Sequence, residues 1–225
     1  MRRRKRDGNS PSWEFEESAL LGGATRIAGI DEAGRGPLAG PVVAAAVVLP
    51  FGSIIPGLTD SKQLTEADRE RLFTVIHEVA IGTGIGIVSS RTIDKLNILQ
   101  ATRMAMAQAV RSLNPLPDYL LVDGPIHVDV PIRQHAVIKG DQRSFSVAAA
   151  SVLAKVTRDR IMRNLGLRFP QYGFERHKGY GTREHRQAIA RYGPTPEHRV
   201  TFRGVRETMR GEETPVQRGA FSPRL

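Results

Sequence analysis

Four acidic residues stand at three separate places in the chain, each beside a segment that reads as a β-strand. Asp31 and Glu32 follow Arg26-Ile-Ala-Gly-Ile, Asp123 closes Tyr119-Leu-Leu-Val, and Asp141 comes just past His135-Ala-Val-Ile-Lys139. In open α/β sheets, sites form where strand ends leave a crevice. Carboxylates gathered there repel one another and hold each other's pKa values up unless cations sit among them. Hard oxygen donors select Mg²⁺ or Mn²⁺ over soft metals. Such a set suits in-line phosphodiester hydrolysis, with one ion helping to aim a water and a second stabilising the leaving 3′-oxygen. An Asp that closes a strand also caps turns, so the argument rests on the three places together. Neighbouring strand residues face opposite ways. Asp31 and Glu32 therefore share a site only if the strand breaks at Glu32, which Ala33-Gly34 permits.

The elements that must position these acids alternate in type. Strands are expected at Arg26–Asp31, Val42–Leu49, Ile85–Val88, Tyr119–Asp123 and His135–Lys139, where β-branched residues crowd favourably on a pleated surface. Thr65 with Asp68 predicts a capped helix through about Ala80. Further helices are expected from about Ile93 to Leu113, from Ser144 to about Met162, and from Thr182 to Tyr192. The helix from Ser144 carries a small face of Ala148, Ala149, Ala150 and Ala154, suited to close packing on a sheet. Strands and helices interleaved in this way predict an α/β fold with a mixed central sheet.

The chain has 225 residues, enough for one well-cored domain, and a formal net charge of +10, which favours polyanionic partners such as nucleic acid. It contains no cysteine, so disulfides, thiolate zinc sites and cysteine nucleophiles are excluded. Met1-Arg-Arg-Arg-Lys-Arg-Asp is followed by Gly, Asn, Ser and Pro rather than an apolar core, and the run Val42–Leu49 is far short of the roughly 20 residues a membrane span needs. No membrane role is expected. Residues 1–23 are expected to be a flexible basic arm, 24–202 the folded domain, and 203–225 a basic tail.

Gly34-Arg35-Gly36-Pro37-Leu38-Ala39-Gly40 invites a dinucleotide-fold reading, which would make the protein an NADP-dependent reductase. That fingerprint needs a helix after the glycines, whereas Val42–Leu49 reads as strand, and the preceding acids would repel a pyrophosphate. Glycines instead let backbone N–H and C=O groups approach a sugar closely. A ribose 2′-hydroxyl both donates and accepts, so backbone groups can tell RNA from DNA there.

Read as one string, Gly29-Ile-Asp31-Glu32-Ala-Gly34-Arg35-Gly36-Pro37-Leu-Ala-Gly40-Pro41 strongly resembles the ribonuclease HII family. The resemblance continues through Asp60-Ser61-Lys62, Leu96-Asn97-Ile98, Val122-Asp123-Gly124, Lys139-Gly140-Asp141, Ala148 to Asp159, Phe169 to Phe174 and His177 to Thr182. It spans about Arg26 to Phe202 in the family's order. It implies a ribonuclease H-like fold with a small C-terminal helical extension from about residue 165. It implies an endonuclease that cuts the RNA strand of RNA/DNA hybrids and incises 5′ of single ribonucleotides in duplex DNA, leaving 3′-hydroxyl and 5′-phosphate ends. Position by position, Asp31, Glu32, Asp123 and Asp141 match the metal-binding acids, Gly34, Arg35 and Gly36 the loop that reads the ribose, and Tyr180 the aromatic that stacks on the sugar. Lys62, Lys155 and Lys178 are candidates for phosphate contacts. Asp159 is expected on a helix surface beside Arg158 or Arg160, and the histidines show no metal-like spacing, with only His177 of interest. The implied cofactor is Mg²⁺ or Mn²⁺. The implied setting is a cytoplasmic monomer acting in ribonucleotide excision repair and DNA replication. The alternatives are a junction resolvase-like nuclease of the same fold, a passive DNA-binding protein, and the reductase.

Overall fold

The computed structural model describes residues 10–209. Five strands, β1 (Ile27–Ala33), β2 (Val42–Val48), β3 (Gly82–Val88), β4 (Tyr119–Asp123) and β5 (Arg133–Val137), form one sheet in the order β3-β2-β1-β4-β5. β1 pairs antiparallel with β2 and parallel with β4, which pairs parallel with β5, so the sheet is mixed as expected. The helices in chain order are α1 (Glu14–Leu21), α2 (Glu66–Val79), α3 (Ser90–Leu96), α4 (Ile98–Arg111), α5 (Gly140–Arg143), α6 (Phe145–Arg168), α7 (Phe174–His177), α8 (Arg183–Tyr192) and α9 (Arg206–Met209). No helix among the described residues is long and apolar enough to cross a membrane.

The described residues divide into two compact units. The first takes the described part of Met1–Ala33 with Val43–Ile87 and Thr102–Val156; the second takes Gly34–Val42, Val88–Ala101 and the described part of Thr157–Leu225. The second unit thus begins on α6 before residue 165 and recruits two earlier segments of chain.

In the first unit, β2 is buried at every position, and its Ala45 and Val47 pack with the apolar faces of α2 and α6. Ala148, Ala149, Ala150 and Ala154 are fully buried in that layer, so the small face of α6 does what its composition implies. On β3, Ile85 packs toward the same layer, while alternation turns Gly84 and Gly86 to the other face. There a Cβ on either glycine would lie 2.1 and 1.9 Å from the carbonyl oxygens of Ala109 and Ala105, so only glycine admits α4 this close. In the second unit, Leu38, Met162, Leu165, Tyr172, Phe174 and Ile189 form a separate apolar core.

Three sequence expectations are corrected. The single helix from Ile93 to Leu113 is two helices, because Asn97 adopts φ 71° and its Oδ1 accepts from the N–H groups of Leu99 and Gln100 at 3.0 and 3.1 Å, capping α4 afresh. The expected flexible arm falls partly on residues 1–9, outside the described residues, but residues 14–21 are helix α1. That helix is held by its apolar side and by one acid. The Trp13 ring packs 5.1 Å from that of Phe145, and the buried Glu16 carboxylate accepts from Ser144 Oγ (2.6 Å) and Ser146 N–H (3.0 Å), capping the start of α6. The tail expected from 203 lies outside the described residues from 210, but Val205 is fully buried in the second unit's core.

Candidate active site

The parallel register of β1 and β4 places Ile30 beside Val122, so Asp31 and Asp123, one residue further on, are neighbours on adjacent strands with side chains on one face. β5 then sets Val137 opposite Asp123. Beyond it the chain reverses at Lys139, which adopts φ 56°, into α5, where Asp141 is buried. The turn is tied to β4 by Gly140 N–H donating to Asp123 Oδ1 (2.6 Å) and Gly124 N–H to the Val137 carbonyl (3.0 Å). One carboxylate oxygen from each of Asp31, Asp123 and Asp141 lies within 4.8 Å of the others, and no further group of this kind occurs among the described residues.

The electrostatics match that crowding. Burial, then the charges of Glu32, Asp123 and Asp141, push the Asp31 carboxyl well above its usual value of 3.8. Burial and the Asp141 charge raise Asp123 as well, against the N–H of Gly140 and the Lys62 charge, which pull it down. Lys62 supplies the local counter-charge: its Nζ lies 3.0 Å from Asp141 Oδ2. Burial lowers its pKa, but the hydrogen bond and charge of Asp141, with Asp31 and Asp60 behind, outweigh that and raise it. The motif Asp60-Ser61-Lys62 is itself fixed from several sides. The buried Asp60 accepts from Lys62 N–H (2.9 Å) and Gln142 Nε2 (3.3 Å), and Ser61 Oγ accepts from Ser151 Oγ (2.6 Å).

Glu32 departs from expectation. β1 does not break there but runs to Ala33, with Glu32 opposite Ala44, so alternation turns its side chain away from the face of Asp31. It is outside the three-acid group, yet it remains close enough to raise Asp31.

The remaining candidates lie mostly in the second unit. Gly34 has φ 98°, and a Cβ there would lie 2.0 Å from Arg158 Nε, so glycine is obligatory. Arg35 and Gly36 are exposed, and Tyr180 is 47% exposed with its ring 6.0 Å from the Arg158 guanidinium carbon. Lys178 turns inward, its ammonium donating to the Glu175 carbonyl, while Lys155, in the first unit, is half-buried on α6. Asp159 is buried, not on a helix surface, because α6 at that level has Arg158 and Asp159 both turned into packed surroundings. His177 stacks on His185 at 4.5 Å and its Nε2 meets the Tyr172 carbonyl at 2.7 Å, a packed imidazole rather than part of a ligand group.

Sequence reasoning missed two residues that build the glycine loop. Arg199 donates through Nη2 to Gly34 O (2.6 Å), through Nη1 to Arg35 O (2.9 Å), and through Nε and Nη2 to Gly40 O (3.1 and 2.9 Å), with Pro41 O at 3.2 Å from Nη2. Arg158 donates to Pro41 O (3.0 Å), Ala39 O (3.1 Å) and Lys178 O (3.0 Å). Both are among the largest fully buried side chains. Arg158 stood within a matched motif, but only its burial reveals the role; nothing near Arg199 signalled it.

The reductase reading fails on the fold, since the chain after the glycines is β2 and not a helix. The family model described as Ribonuclease HII matches residues 28–205. The ribonuclease HII of Geobacter sulfurreducens is 57% identical over 195 residues, covering 87% of this chain and 90% of that protein. That of Geobacillus kaustophilus is 58% identical over 205 residues, covering 89% and 78%. The solved ribonuclease H2 from Pyrococcus horikoshii OT3 superposes with a TM-score of 0.72 at 27% identity, covering 83% of this chain and 98% of that one. With three acids brought together on a sheet of this order and a family match across nearly all of the described residues, the chain belongs to the ribonuclease HII family, endonucleases that cut the RNA strand paired to DNA.

Proposed function

We propose that Asp31, Asp123 and Asp141 hold Mg²⁺ or Mn²⁺, with Glu32 adding negative charge from nearby, and that the site hydrolyses the phosphodiester on the 5′ side of a ribonucleotide, in RNA/DNA hybrids and at single ribonucleotides in duplex DNA. Water adds to phosphorus, the bond to the 3′-oxygen breaks, and 3′-hydroxyl and 5′-phosphate ends remain. The observation that carries this is the convergence of three carboxylate oxygens within 4.8 Å, all inside the stretch that the family model matches. The donor set fits the cofactor: it is all hard oxygen, it is crowded enough that Asp31 and Asp123 resist ionisation, and divalent charge would relieve that strain. Two ions bound there supply Lewis acidity at the phosphoryl oxygen and a lowered pKa for water. The chain's own residues do the rest. Gly140 N–H and the β5–α5 turn hold the Asp123 carboxylate in place, and Asp60 with Gln142 anchors the segment carrying Lys62. The backbone of Gly34, Arg35 and Gly36 reads the ribose, Tyr180 stacks on its sugar, and Lys62, Lys155 and Lys178 add attraction for phosphate. The substrate implies a cytoplasmic, monomeric enzyme of ribonucleotide excision repair and DNA replication.

The test is a DNA duplex carrying one ribonucleotide, incubated with Mn²⁺ or Mg²⁺. Incision 5′ of the ribonucleotide is expected, with the all-DNA control intact. Cleavage of an all-DNA junction without regard to ribonucleotides, or no incision in either metal, would overturn the reading.

A further inference from the structure

We propose that Arg199, seconded by Arg158, is a positioning residue for ribose recognition: it fixes two consecutive peptide planes so that the N–H groups of Arg35 and Gly36 are aimed at the 2′-oxygen. The proposal rests on the reading that this loop's backbone meets the sugar.

In a trans peptide the C=O of one residue and the N–H of the next point in opposite directions. The carbonyls of Gly34 and Arg35 are both drawn onto the buried Arg199 guanidinium. The N–H groups of Arg35 and Gly36 therefore point away from it, at the two residues of the loop that are exposed. A planar fork with five donors can hold several carbonyls in one fixed arrangement, which a lysine ammonium cannot reproduce. The arrangement is costly. Burial, joined by the Arg158 charge, lowers the pKa of Arg199 to about 9, and burial lowers that of Arg158 to about 10, so both remain protonated near neutrality. Two buried cations behind two outward N–H dipoles favour an electron-rich oxygen in front of them, as preorganised donors do elsewhere.

Affinities for two duplexes that differ only in one sugar, ribo or deoxy, measured in EDTA, isolate this effect, since their ratio does not depend on the folded fraction. Arg199→Lys is expected to shrink the ribo/deoxy ratio roughly tenfold, the size of one or two hydrogen bonds, while all-DNA binding stays unchanged. Equal weakening on both duplexes, or an unchanged ratio, overturns the proposal. If Arg199→Lys does not fold, Arg199→Gln, which keeps one planar N–H donor group, gives the same readout, and if neither folds the arginine is scaffold only and the proposal falls. Gly36→Ala separates this from the underlying reading: a Cβ there meets only Tyr180 Cε1, at 3.8 Å, so the fold is spared. A ratio preserved in Gly36→Ala would show that the loop does not meet the sugar; a ratio lost there but kept in Arg199→Lys would remove only the arginine's role.

Discussion

Replacing Asp31 by Asn should invert the usual effect of losing a buried polar group: without metal the variant is more stable than the wild type, and with metal it is less. At 4.8 Å, the largest separation among the three carboxylate oxygens, two unit charges repel by about 3.5 kcal/mol at an effective dielectric of ~20, and by about 0.9 kcal/mol in bulk water. Asp31 enters two of the three pairs and also feels Glu32. Partial protonation of the raised acids and the Lys62 charge remove much of this, leaving a net relief of about 1–2 kcal/mol, or about 2–8 °C in Tm. The Asn oxygen can still accept the Glu32 N–H that Asp31 Oδ1 takes at 2.7 Å. Metal at a hundredfold excess over its Kd stabilises the wild type by about 2.7 kcal/mol, and little of this should survive in the variant. The pH dependence gives a second check. An acid whose folded pKa is raised binds more protons folded than unfolded, so its contribution is present below its unfolded pKa near 3.8 and is lost as pH rises through the folded value. Metal-free wild type should lose stability over that rise, and Asp31→Asn should lose less. Thermal melts in EDTA and in Mg²⁺ across pH supply all the numbers. Equal metal stabilisation in the two proteins, or a variant less stable in EDTA, would refute the reasoning.

Asp123→Asn should abolish cleavage of an RNA/DNA hybrid while circular dichroism shows the fold retained; residual activity within tenfold of wild type would remove it from the ligand set. Tyr180→Ala should weaken the preference for a duplex with one ribonucleotide more than it weakens binding to plain duplex, and equal losses in a titration would count against stacking. Glu16→Ala strips the cap from α6 and leaves Ser144 Oγ and Ser146 N–H without it, so about 2 kcal/mol and about 4–8 °C of Tm should be lost. An unchanged melting curve would show α1 to be dispensable.

Asp31 and Asp123 were legible because parallel strands bring their carboxyl ends together and both acids close apolar runs, so the pattern alone carries the placement. Asp141 was legible only in outline: β5 ends at Val137, and a left-handed residue plus a short helix, which no periodicity announces, carry the acid back to its partners. Glu32 was misjudged locally because the Ala33-Gly34 sequence allows a break that strand pairing with β2 then prevents. The small face of α6 was plain in composition, while α1 was hidden by three acids among its eight residues, one of which turns inward as a cap. Arg199 was invisible for a general reason. Arginine's default place is the surface, and only the gathering of carbonyls from residues more than 150 positions away makes its burial possible.

On the proposed ligand assignment, the ion pair between Lys62 and Asp141 would make metal loading an exchange rather than a simple capture. The lysine side chain is 73% exposed and the aspartate 4%, so the ammonium has room to swing into solvent, at the cost of leaving a buried carboxylate unpaired until another cation replaces it. An entering divalent ion gains only the difference between its own attraction and the one it evicts. On that assignment the lysine partly offsets the charge of the acids beforehand, and once displaced it would be free to meet an incoming phosphate.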